Sequence, residues 1–382
     1  METLNVVVCG GGRTGHLNAV LFKQVPGVRV TLLTSRQDVI ARHREGDAIT
    51  VLLPDGATLA ARPDLITSDA QAACADADVV VVTVPAQARP QLLRALVAQL
   101  PAHKPVYVGA IPGFCGFDWL AELALAARPN AVIWGMKDVP HTAYDLVPGV
   151  SVKMGGPKSR LYVATHARES RTARLAACAR LQVLYDAPVE LLGHYLEITM
   201  TPGNPIMHPA VVYGLIGPYA QWYDRPFAAP ICWWTDCPEL GAYFLERCDE
   251  ESQQLCKALE RSLRVDLSSV QPLQQEIVEA YQEQIRDQRT MLSVLRTNQA
   301  YGAIVAPLVH TPDGYWIDRE SRAFHEDVAY GLALLVAMAR RLHVVVPHLE
   351  EIFRWNVAYM GGLRSSALDY FPEHWPNLES TA

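Results

Sequence analysis

Near its start the chain carries an apolar segment, a glycine-rich turn and a helix-like segment, LNVVVCGGGRTGHLNAVLF (residues 4–22). The run at residues 4–9 is typical of a strand buried on both faces of a parallel sheet. Gly10, Gly12 and Gly15 follow with the spacing G-x-G-x-x-G, which permits a tight turn, close approach of a pyrophosphate, and packing of helix on strand. The helix would present its N-terminal amides to the phosphates. This context predicts a Rossmann-type dinucleotide-binding domain whose loop contacts the cofactor through Gly10, Gly12, Arg13, Thr14 and Gly15.

The end of the second predicted strand, VRVTLLT (residues 28–34), bears on the choice of nicotinamide cofactor. A site for NAD usually carries Asp or Glu there to bind the ribose 2′-hydroxyl. This chain has Thr34, Ser35 and Arg36 instead, and its first acidic residue is Asp38. Hydroxyl groups followed by a guanidinium suit a 2′-phosphate, so NADP(H) is predicted in preference to NAD(H). The alternative is that Arg36 only caps a solvent-exposed loop.

Alternating strand and helix patterns continue to about residue 188. Residues 49–63 are expected to form a hairpin that turns at Pro54-Asp55-Gly56. Residues 77–86 read as another buried strand followed by a helix, and strands are also expected within 104–113 and 131–137. Ligands of such sheets lie beyond the carboxyl ends of the strands, so Val84 and Pro85, with residues 111–113, should border the nicotinamide. We expect a Rossmann domain at residues 1–188.

From about residue 189 the pattern changes to helical periodicity, with amphipathic segments near 238–262, 268–297 and 326–342. The expected architecture is therefore an α/β Rossmann-type dinucleotide-binding domain followed by an all-α C-terminal domain at residues 189–382. Substrates of such proteins commonly bind between the two domains. The stretch YAQWYDRPFAAPICWW (219–234) has six aromatic residues in sixteen, against 8% for the whole chain. It either walls a substrate pocket or packs a long loop.

Composition narrows the classes of partner. The 382 residues are too many for one core and suggest two domains. A net charge of −7 without basic tracts argues against nucleic acid, and no apolar run is long enough to span a membrane. The eight cysteines lack paired spacing, which fits reduced thiols in a cytoplasmic protein, and no cluster has the spacing of metal ligands. We expect small-molecule ligands and no metal.

The stretch TPGNPIMHPAVVYG (201–214) interrupts two apolar helical segments with several prolines and holds one histidine, His208. Hydride transfer to a carbonyl or imine needs a nearby proton donor, and histidine has a suitable pKa. A carboxylate should orient that histidine, and an arginine should bind substrate carboxylates. The segment ESRAFHEDVAYG (320–331) offers such groups, which are Arg322, His325, Glu326 and Asp327. The alternative is that these residues only cap the start of a helix.

Four segments together resemble the octopine/nopaline (opine) dehydrogenase family across essentially the whole chain: GGGRTGH, HYLEITMTPGNPIMHPAVVYG, LRTNQAYGAIVAPL and SRAFHEDVAYG. Members of that family use NAD(P)H to couple the amine of an amino acid reductively to an α-keto acid, commonly pyruvate. The resemblance implies that His208 is the catalytic histidine, Asp327 its partner and Arg322 a substrate-binding arginine. The proline-rich break would then aim His208 into the cleft.

One segment departs from the family. Relatives that use arginine resemble Glu-Thr-Leu-Pro-Trp where this chain has KDVPHTAY (137–144). Because this region approaches the substrate in the family, His141 or Lys137 would recognise a different, more acidic amine. Opine-metallophore synthesis is one option within the same chemistry.

The resemblance implies a mechanism in which the amine and the keto acid condense to an imine. Arg322 and donors near Asn204 would hold the carboxylates while His208, oriented by Asp327, handles the proton on nitrogen. Two rival interpretations stay open: an NADP-dependent 2- or 3-hydroxy acid dehydrogenase, and a non-catalytic dinucleotide sensor. The sequence also leaves a homodimer open.

Overall fold

The computed structural model describes residues 3–302 and 304–376. The chain divides after Thr199 into two compact units. The first is an α/β unit and the second is mainly helical, so the predicted fold class is confirmed. The boundary lies later than the expected residue 188, because a short strand that follows this residue pairs with the sheet of the first unit.

The strands described in the first unit form two sheets. In chain order they are β1 (Leu4–Cys9), β2 (Val28–Leu33), β3 (Ile49–Leu52), β4 (Thr58–Ala61), β5 (Leu65–Thr67), β6 (Val79–Val82), β7 (Val106–Ala110), β8 (Ala131–Met136), β9 (His141–Val147), β10 (Ser151–Pro157), β11 (Leu161–Thr165) and β12 (Val189–Leu191). The eight-stranded sheet has the order β12-β11-β8-β7-β6-β1-β2-β5, and β8–β11 is its antiparallel pair. The second sheet has the order β4-β3-β10-β9.

The helices of the first unit flank these sheets. They are α1 (Arg13–Lys23), α2 (Gln37–Glu45), α3 (Ala70–Cys74), α4 (Arg89–Val97), α5 (Phe117–Ala124), α6 (Arg171–Leu184) and α7 (Leu196–Met200), the last of which spans the unit boundary. Helix α1 packs against β2 and also against β9 and β10 of the second sheet. The glycine-rich turn before α1 therefore lies between a strand of one sheet and a helix that contacts both.

The core of the first unit follows the apolar runs in the sequence. Strand β1 pairs in parallel with β2 and β6, and the β1 side chains Val6, Val7 and Val8 are all buried. The predicted hairpin is confirmed, since β3 and β4 are antiparallel and Leu53 donates its amide to the carbonyl of Ala57. Burial on both faces explains why β1 shows no alternation of polar and apolar residues.

The second unit consists of helices and one small hairpin within the described residues. The elements are α8 (Asn204–Ile216), α9 (Glu239–Leu263), α10 (Leu273–Tyr281), α11 (Met291–Thr297), the hairpin β13 (Leu308–Thr311) and β14 (Gly314–Ile317), a π-helix (Ala323–Leu332), α12 (Ala333–Arg341) and α13 (Pro347–Tyr359). The expected all-α character holds apart from β13–β14. The segment expected at 268–297 is two helices, separated at residues 282–290.

The break predicted within residues 201–214 is shorter than expected. Only residues 201–203 are non-helical, and α8 begins at Asn204. Pro205 stands in the first turn, where no intrahelical donor is missed. Pro209 lies inside the helix and costs it one donor, and its own carbonyl accepts a hydrogen bond from the buried Asn356 of α13 at 3.2 Å. His208 is therefore held by a helix and not by a loop.

Helix α8 approaches its neighbours closely at two glycines. A Cβ added to Gly214 would lie 2.2 Å from the Cα of Gly241 in α9. A Cβ added to Gly331 of the π-helix would lie 2.5 Å from the Cβ of Pro205. Real Cβ atoms do not approach so closely, so both contacts require glycine. Among the helices described, none is long and apolar enough to cross a membrane.

Candidate active site

His208 and Asp327, which lie 119 residues apart in the sequence, are in direct contact. The imidazole Nδ1 of His208 lies 2.8 Å from Oδ2 of Asp327. The Asp327 side chain is 3% exposed and the His208 side chain is 16% exposed. Because an ionised carboxylate only accepts hydrogen bonds, Nδ1 carries the proton and donates it. The tautomer of the neutral ring is thereby set, with the lone pair on Nε2.

The close packing of α8 and the π-helix creates this contact. Pro205 of α8 contacts Gly331 of the π-helix. His208, three residues after Pro205, contacts Asp327, which lies four residues before Gly331. The two helices are therefore antiparallel at this point. A π-helix is rare and is frequently found at functional sites. Its presence at the carboxylate that orients a histidine marks this region as the candidate active site.

Two tryptophans from the aromatic-rich stretch pack against the imidazole. The ring of Trp234 stacks on His208 with centroids 5.3 Å apart, and the ring of Trp233 lies 5.0 Å away at a tilt of 33°. Both tryptophans are buried. The residues described give His208 Nε2 no hydrogen-bond partner. The two tryptophans lie on the same side of the imidazole, since their own ring centroids are 6.1 Å apart, and Nδ1 is held by Asp327, which leaves Nε2 for a ligand.

The carboxyl group of Asp327 is buried and only partly paired. Burial raises its pKa, and the hydrogen bond from His208 acts in the opposite direction. Its second oxygen, Oδ1, is buried and has no hydrogen-bond partner within the described part of the chain. The charged form of Asp327 therefore depends strongly on its hydrogen bond with His208.

Arg322 and Glu326 form an ion pair at the start of the π-helix. The guanidinium of Arg322 donates from Nε to Oε2 of Glu326 at 2.7 Å and also from Nη2. The Arg322 side chain is 65% exposed, whereas Glu326 is 1% exposed. No side chain makes a capping hydrogen bond at the start of the π-helix, and Glu326 is the acidic residue of its first turn. Glu326 anchors a guanidinium that reaches solvent.

The remaining predicted residues of the second unit lie at two helix starts. Asn204 is the exposed first residue of α8, whose N-terminus has no side-chain cap. His325 is half-buried and lies 3.4 Å from a carboxylate oxygen of Glu320. The uncapped end of α8 carries the positive end of the helix dipole, which favours an anion such as a carboxylate.

The glycine loop of the first unit has the shape of a phosphate cradle. A Cβ on Gly15 would lie 1.7 Å from the carbonyl oxygen of Gly10, and Gly10 has a φ of +133° that favours glycine. A Cβ on Gly12, by contrast, would meet nothing within 4 Å. Gly12 and Arg13 are exposed, and no side chain caps α1. The space over Gly12 and the uncapped amides of α1, which begins Arg13-Thr14, fit a dinucleotide pyrophosphate.

At the end of β2 the predicted ribose-binding residues take different positions. Thr34 is buried, and its hydroxyl accepts a hydrogen bond from the Arg36 amide at 3.2 Å, whereas Ser35 is exposed. The exposed Arg36 guanidinium donates to both carboxylate oxygens of Asp38, at 3.2 and 2.7 Å. Through these bonds Arg36 lowers the pKa of Asp38. Arg36 is the N-cap residue of α2 and makes no capping hydrogen bond through its side chain.

The loop that carries Val84 and Pro85 is held by a buried arginine that the sequence reasoning missed. Arg89 donates to the carbonyls of Val84, Pro112 and Phe114 at 3.3, 3.0 and 2.9 Å. It therefore joins the carboxyl end of β6 to that of β7, which is the edge where ligands of such sheets bind. Arg89 is the first residue of α4, seven residues after the end of β6, and no local pattern marks it as buried.

His141 and Lys137 lie at the start of β9 and just before it. The His141 ring is 6.5 Å from that of Tyr185, and its buried Nδ1 has no hydrogen-bond partner in the described residues. Burial lowers the pKa of His141. Lys137 lies over the ring of Tyr162 at 5.9 Å. Within the described ranges, no cluster of three or more His, Cys, Asp or Glu side chains could hold a metal ion.

The chain is similar to several known proteins. The family described as NAD/NADP octopine/nopaline dehydrogenase, alpha-helical domain, matches residues 191–360. The uncharacterized protein y4xO of Sinorhizobium fredii is 56% identical over 98% of this chain and 99% of its own. An octopine dehydrogenase of Mizuhopecten yessoensis is 29% identical over 94% of this chain and 90% of its own. A solved octopine dehydrogenase with NADH and L-arginine superposes with a TM-score of 0.81 at 25% identity, covering 94% and 90% of the two chains.

The open space over Gly12 and the close packing at Gly15 predict different outcomes for substitutions at these two glycines. Gly12→Ala adds a methyl group to open space, so the free energy of unfolding should stay within about 0.5 kcal/mol of the wild type. The same methyl group should weaken NAD(P)H binding about tenfold or more, because it takes the space of the pyrophosphate. Gly15→Ala should instead destabilise the first unit. Urea unfolding and cofactor fluorescence titration measure both effects, and unchanged cofactor affinity in Gly12→Ala would contradict the assignment.

Proposed function

The chain belongs to the opine dehydrogenase family and is an NAD(P)-dependent oxidoreductase, and from this premise we propose that it condenses an amino acid with an α-keto acid reductively. The amine and the keto acid lose water to form an imine, and reduction gives an N-(carboxyalkyl) amino acid. The bound nicotinamide supplies the hydride. The contact of His208 with Asp327 is the observation that carries the proposal.

His208 holds the proton that the reaction requires. Its Nδ1 donates to Asp327, so any further proton is carried on Nε2, the ring nitrogen that Asp327 does not contact. As an imidazolium, His208 gives this proton to the substrate nitrogen during reduction, and in the reverse direction neutral His208 removes it. The buried Asp327 carboxylate stabilises the imidazolium in both directions.

Arg322 and the N-terminus of α8 bind the two substrate carboxylates. Glu326 already accepts hydrogen bonds from the Arg322 guanidinium, so a substrate carboxylate would use the remaining donors of a side chain that also pairs with a buried carboxylate. A planar guanidinium has five donors in a fixed arrangement and can serve two carboxylates. Asn204 lies at the uncapped helix end, where a second carboxylate is favoured. Pyruvate, the common keto acid of the family, carries one of these carboxylates.

The amine is expected to differ from arginine. The segment 137–144 carries Lys137 and His141 where the family resemblance places an acidic residue in arginine-using relatives. Lys137 and His141 can donate hydrogen bonds to an anion, so they favour an amine with an extra carboxylate or another acidic group. An amino acid of this kind, rather than a cationic one, is the proposed second substrate.

NADPH is the proposed cofactor in preference to NADH. Two features after β2 support this preference. Arg36 is exposed there, and the chain has no acidic residue between β2 and Asp38 that could bind the ribose 2′-hydroxyl of NADH. A 2′-phosphate would compete with Asp38 for the guanidinium. An exposed ion pair is weak, so a dianionic phosphate can take its place.

A matrix of amino acids and α-keto acids, followed by NAD(P)H absorbance, tests the function. We expect oxidation of the cofactor only when both an amine and a keto acid are present, with one mole of N-(carboxyalkyl) amino acid formed per mole of cofactor. Turnover of a keto acid alone would indicate a hydroxy acid dehydrogenase. Cofactor binding without turnover for any pair would indicate a dinucleotide sensor.

The pairing of His208 with Asp327 predicts non-additive kinetics. His208→Ala should lower kcat by about 10²–10⁴, the usual range for loss of a general acid–base catalyst. Asp327→Asn should also lower kcat, and the double variant should lose far less than the product of the single effects. Stopped-flow and steady-state kinetics measure kcat, with cofactor affinity as the control because it should stay unchanged. Independent, multiplicative losses would contradict the pair.

Arg322→Ala should raise the KM of the keto acid or the amino acid about tenfold or more, since a charge-assisted hydrogen bond is lost. Cofactor affinity should change little. The matched control is Arg340→Ala, because Arg340 is also an exposed arginine paired with a glutamate, at 2.9 Å from Glu350. If both KM values stayed at the wild-type level, Arg322 would have only a structural role.

Arg36→Asp should reverse the cofactor preference. NADPH binding should weaken about tenfold or more through charge repulsion with the 2′-phosphate, while NADH binding is retained or improved. Equilibrium titration with both cofactors gives the ratio of dissociation constants. A wild-type protein that uses NADH at least as efficiently as NADPH would overturn the assignment.

A further inference from the structure

His16, the residue directly after the glycine motif, joins two parts of the first unit from a fully buried position. Its Nδ1 lies 3.0 Å from the carbonyl oxygen of Gly12, one helical turn earlier. Its Nε2 lies 2.9 Å from the amide nitrogen of Gly149, in the turn between β9 and β10. The ring therefore ties the phosphate-binding loop to the second sheet.

The partners of His16 determine where its proton lies. The Gly12 carbonyl is only an acceptor, so Nδ1 must donate to it. The Gly149 amide is only a donor, so Nε2 must accept from it. Both bonds form only when the ring is neutral with its proton on Nδ1. An added proton on Nε2 would face the N–H of Gly149 and break that bond.

One of the two hydrogen bonds of His16 is made to Gly12, the residue of the glycine loop over which the pyrophosphate would lie. Gly12 is the glycine whose missing side chain leaves space for the pyrophosphate, and it immediately precedes α1. Gly149 has little freedom, because its φ is +72° and a Cβ there would lie 3.0 Å from Cδ of Arg42 in α2. The turn at Gly149 is thus fixed, and the two hydrogen bonds of His16 fix the glycine loop relative to that turn.

We infer that His16 is a positioning residue for the dinucleotide, whose neutral form fixes the glycine loop and whose protonation releases the loop and weakens cofactor binding. The inference rests on nucleotide binding by the first unit and is independent of which amine and keto acid react. His16 itself contacts only protein groups in the structure.

The surroundings of His16 favour the neutral form. Burial is the largest effect and lowers the pKa of His16; the Gly12 carbonyl raises it, Arg36 lowers it and Asp38 raises it. Arg42 is the charged side chain that packs over Gly149. Because the pKa in the folded state lies below that in the unfolded chain, His16 contributes stability at neutral pH. This stability is lost as the pH falls below about 6.5.

Two substitutions separate the two hydrogen bonds. The amide nitrogen of Asn in His16→Asn can replace Nδ1 and keep the bond to Gly12, whereas the amide oxygen of Gln in His16→Gln can replace Nε2 and keep the bond to Gly149. Each variant should weaken NADH binding about three- to tenfold at pH near 8, the effect of one buried hydrogen bond. His103→Gln, a change at an exposed histidine, is the control and should leave NADH binding unchanged.

The pH dependence distinguishes positioning from simple packing. NADH is the probe because a phosphate monoester such as the 2′-phosphate of NADPH itself titrates near pH 6. In the wild type, NADH affinity should fall as the pH drops below about 6.5, because burial lowers the pKa of His16 from this value, and both His16 variants should lose most of this dependence. A fall in affinity that persists in both variants would overturn the proposal.

A measurement on the wild type alone covers the case in which the variants fold poorly. If protonation of His16 weakens cofactor binding, then bound NADH must lower the pKa of His16 by the same free energy. ¹⁵N NMR of the histidine side chains, with and without NADH, follows this titration. A pKa of His16 that is unchanged or raised by NADH would overturn the proposal.

Discussion

The contact of Pro205 with Gly331 is the constraint on which the candidate active site depends. No side chain larger than that of glycine fits at residue 331, because a Cβ would lie 2.5 Å from the proline ring. With the two helices this close and antiparallel, His208 and Asp327 are opposed at hydrogen-bond distance. The dyad is thus a result of backbone packing, and the hydrogen bond by itself would be too weak to assemble two helices.

Helix α8 is held in the same way on its other sides. Gly214 packs against the backbone of Gly241, and the amide of Asn356 donates to the carbonyl of Pro209. Tyr213 donates its hydroxyl to Glu351 of α13 at 2.5 Å. These contacts are buried or partly buried, and they leave His208 little freedom to move along or around the helix axis. A general acid that must meet a substrate nitrogen within hydrogen-bond distance benefits from such a support.

Much of this arrangement could be predicted from local sequence. The apolar strand and the spacing of Gly10, Gly12 and Gly15 predict the loop, because strand burial and turn geometry are local properties. The family resemblance joined His208 to Asp327. The extent of the helix around His208 was less predictable, since prolines signal a break but are compatible with a first turn or, at one position, a helix interior.

Other features depend on tertiary contacts that no local pattern encodes. The partnership of Arg322 with Glu326 follows an i, i+4 spacing that was visible, but the burial of Glu326 was not. Trp233 and Trp234 stood in a segment for which pocket and packing were equally plausible, and only the folded chain places them on the imidazole. The same holds for Arg89 and His16, whose partners lie on other elements.

The central claim is that packing at residue 331 sets the protonation geometry of His208. ¹⁵N NMR of the His208 ring in the wild type and in Gly331→Ala tests it directly, with Gly156→Ala as the control because a Cβ there meets nothing within 4 Å. The wild type and the control should carry a slowly exchanging proton on Nδ1 at neutral pH. Gly331→Ala should lose this signal and give the mixed tautomers of an unpaired imidazole. An unaltered Nδ1 signal in Gly331→Ala, or a wild type protonated on Nε2 alone, would contradict the account.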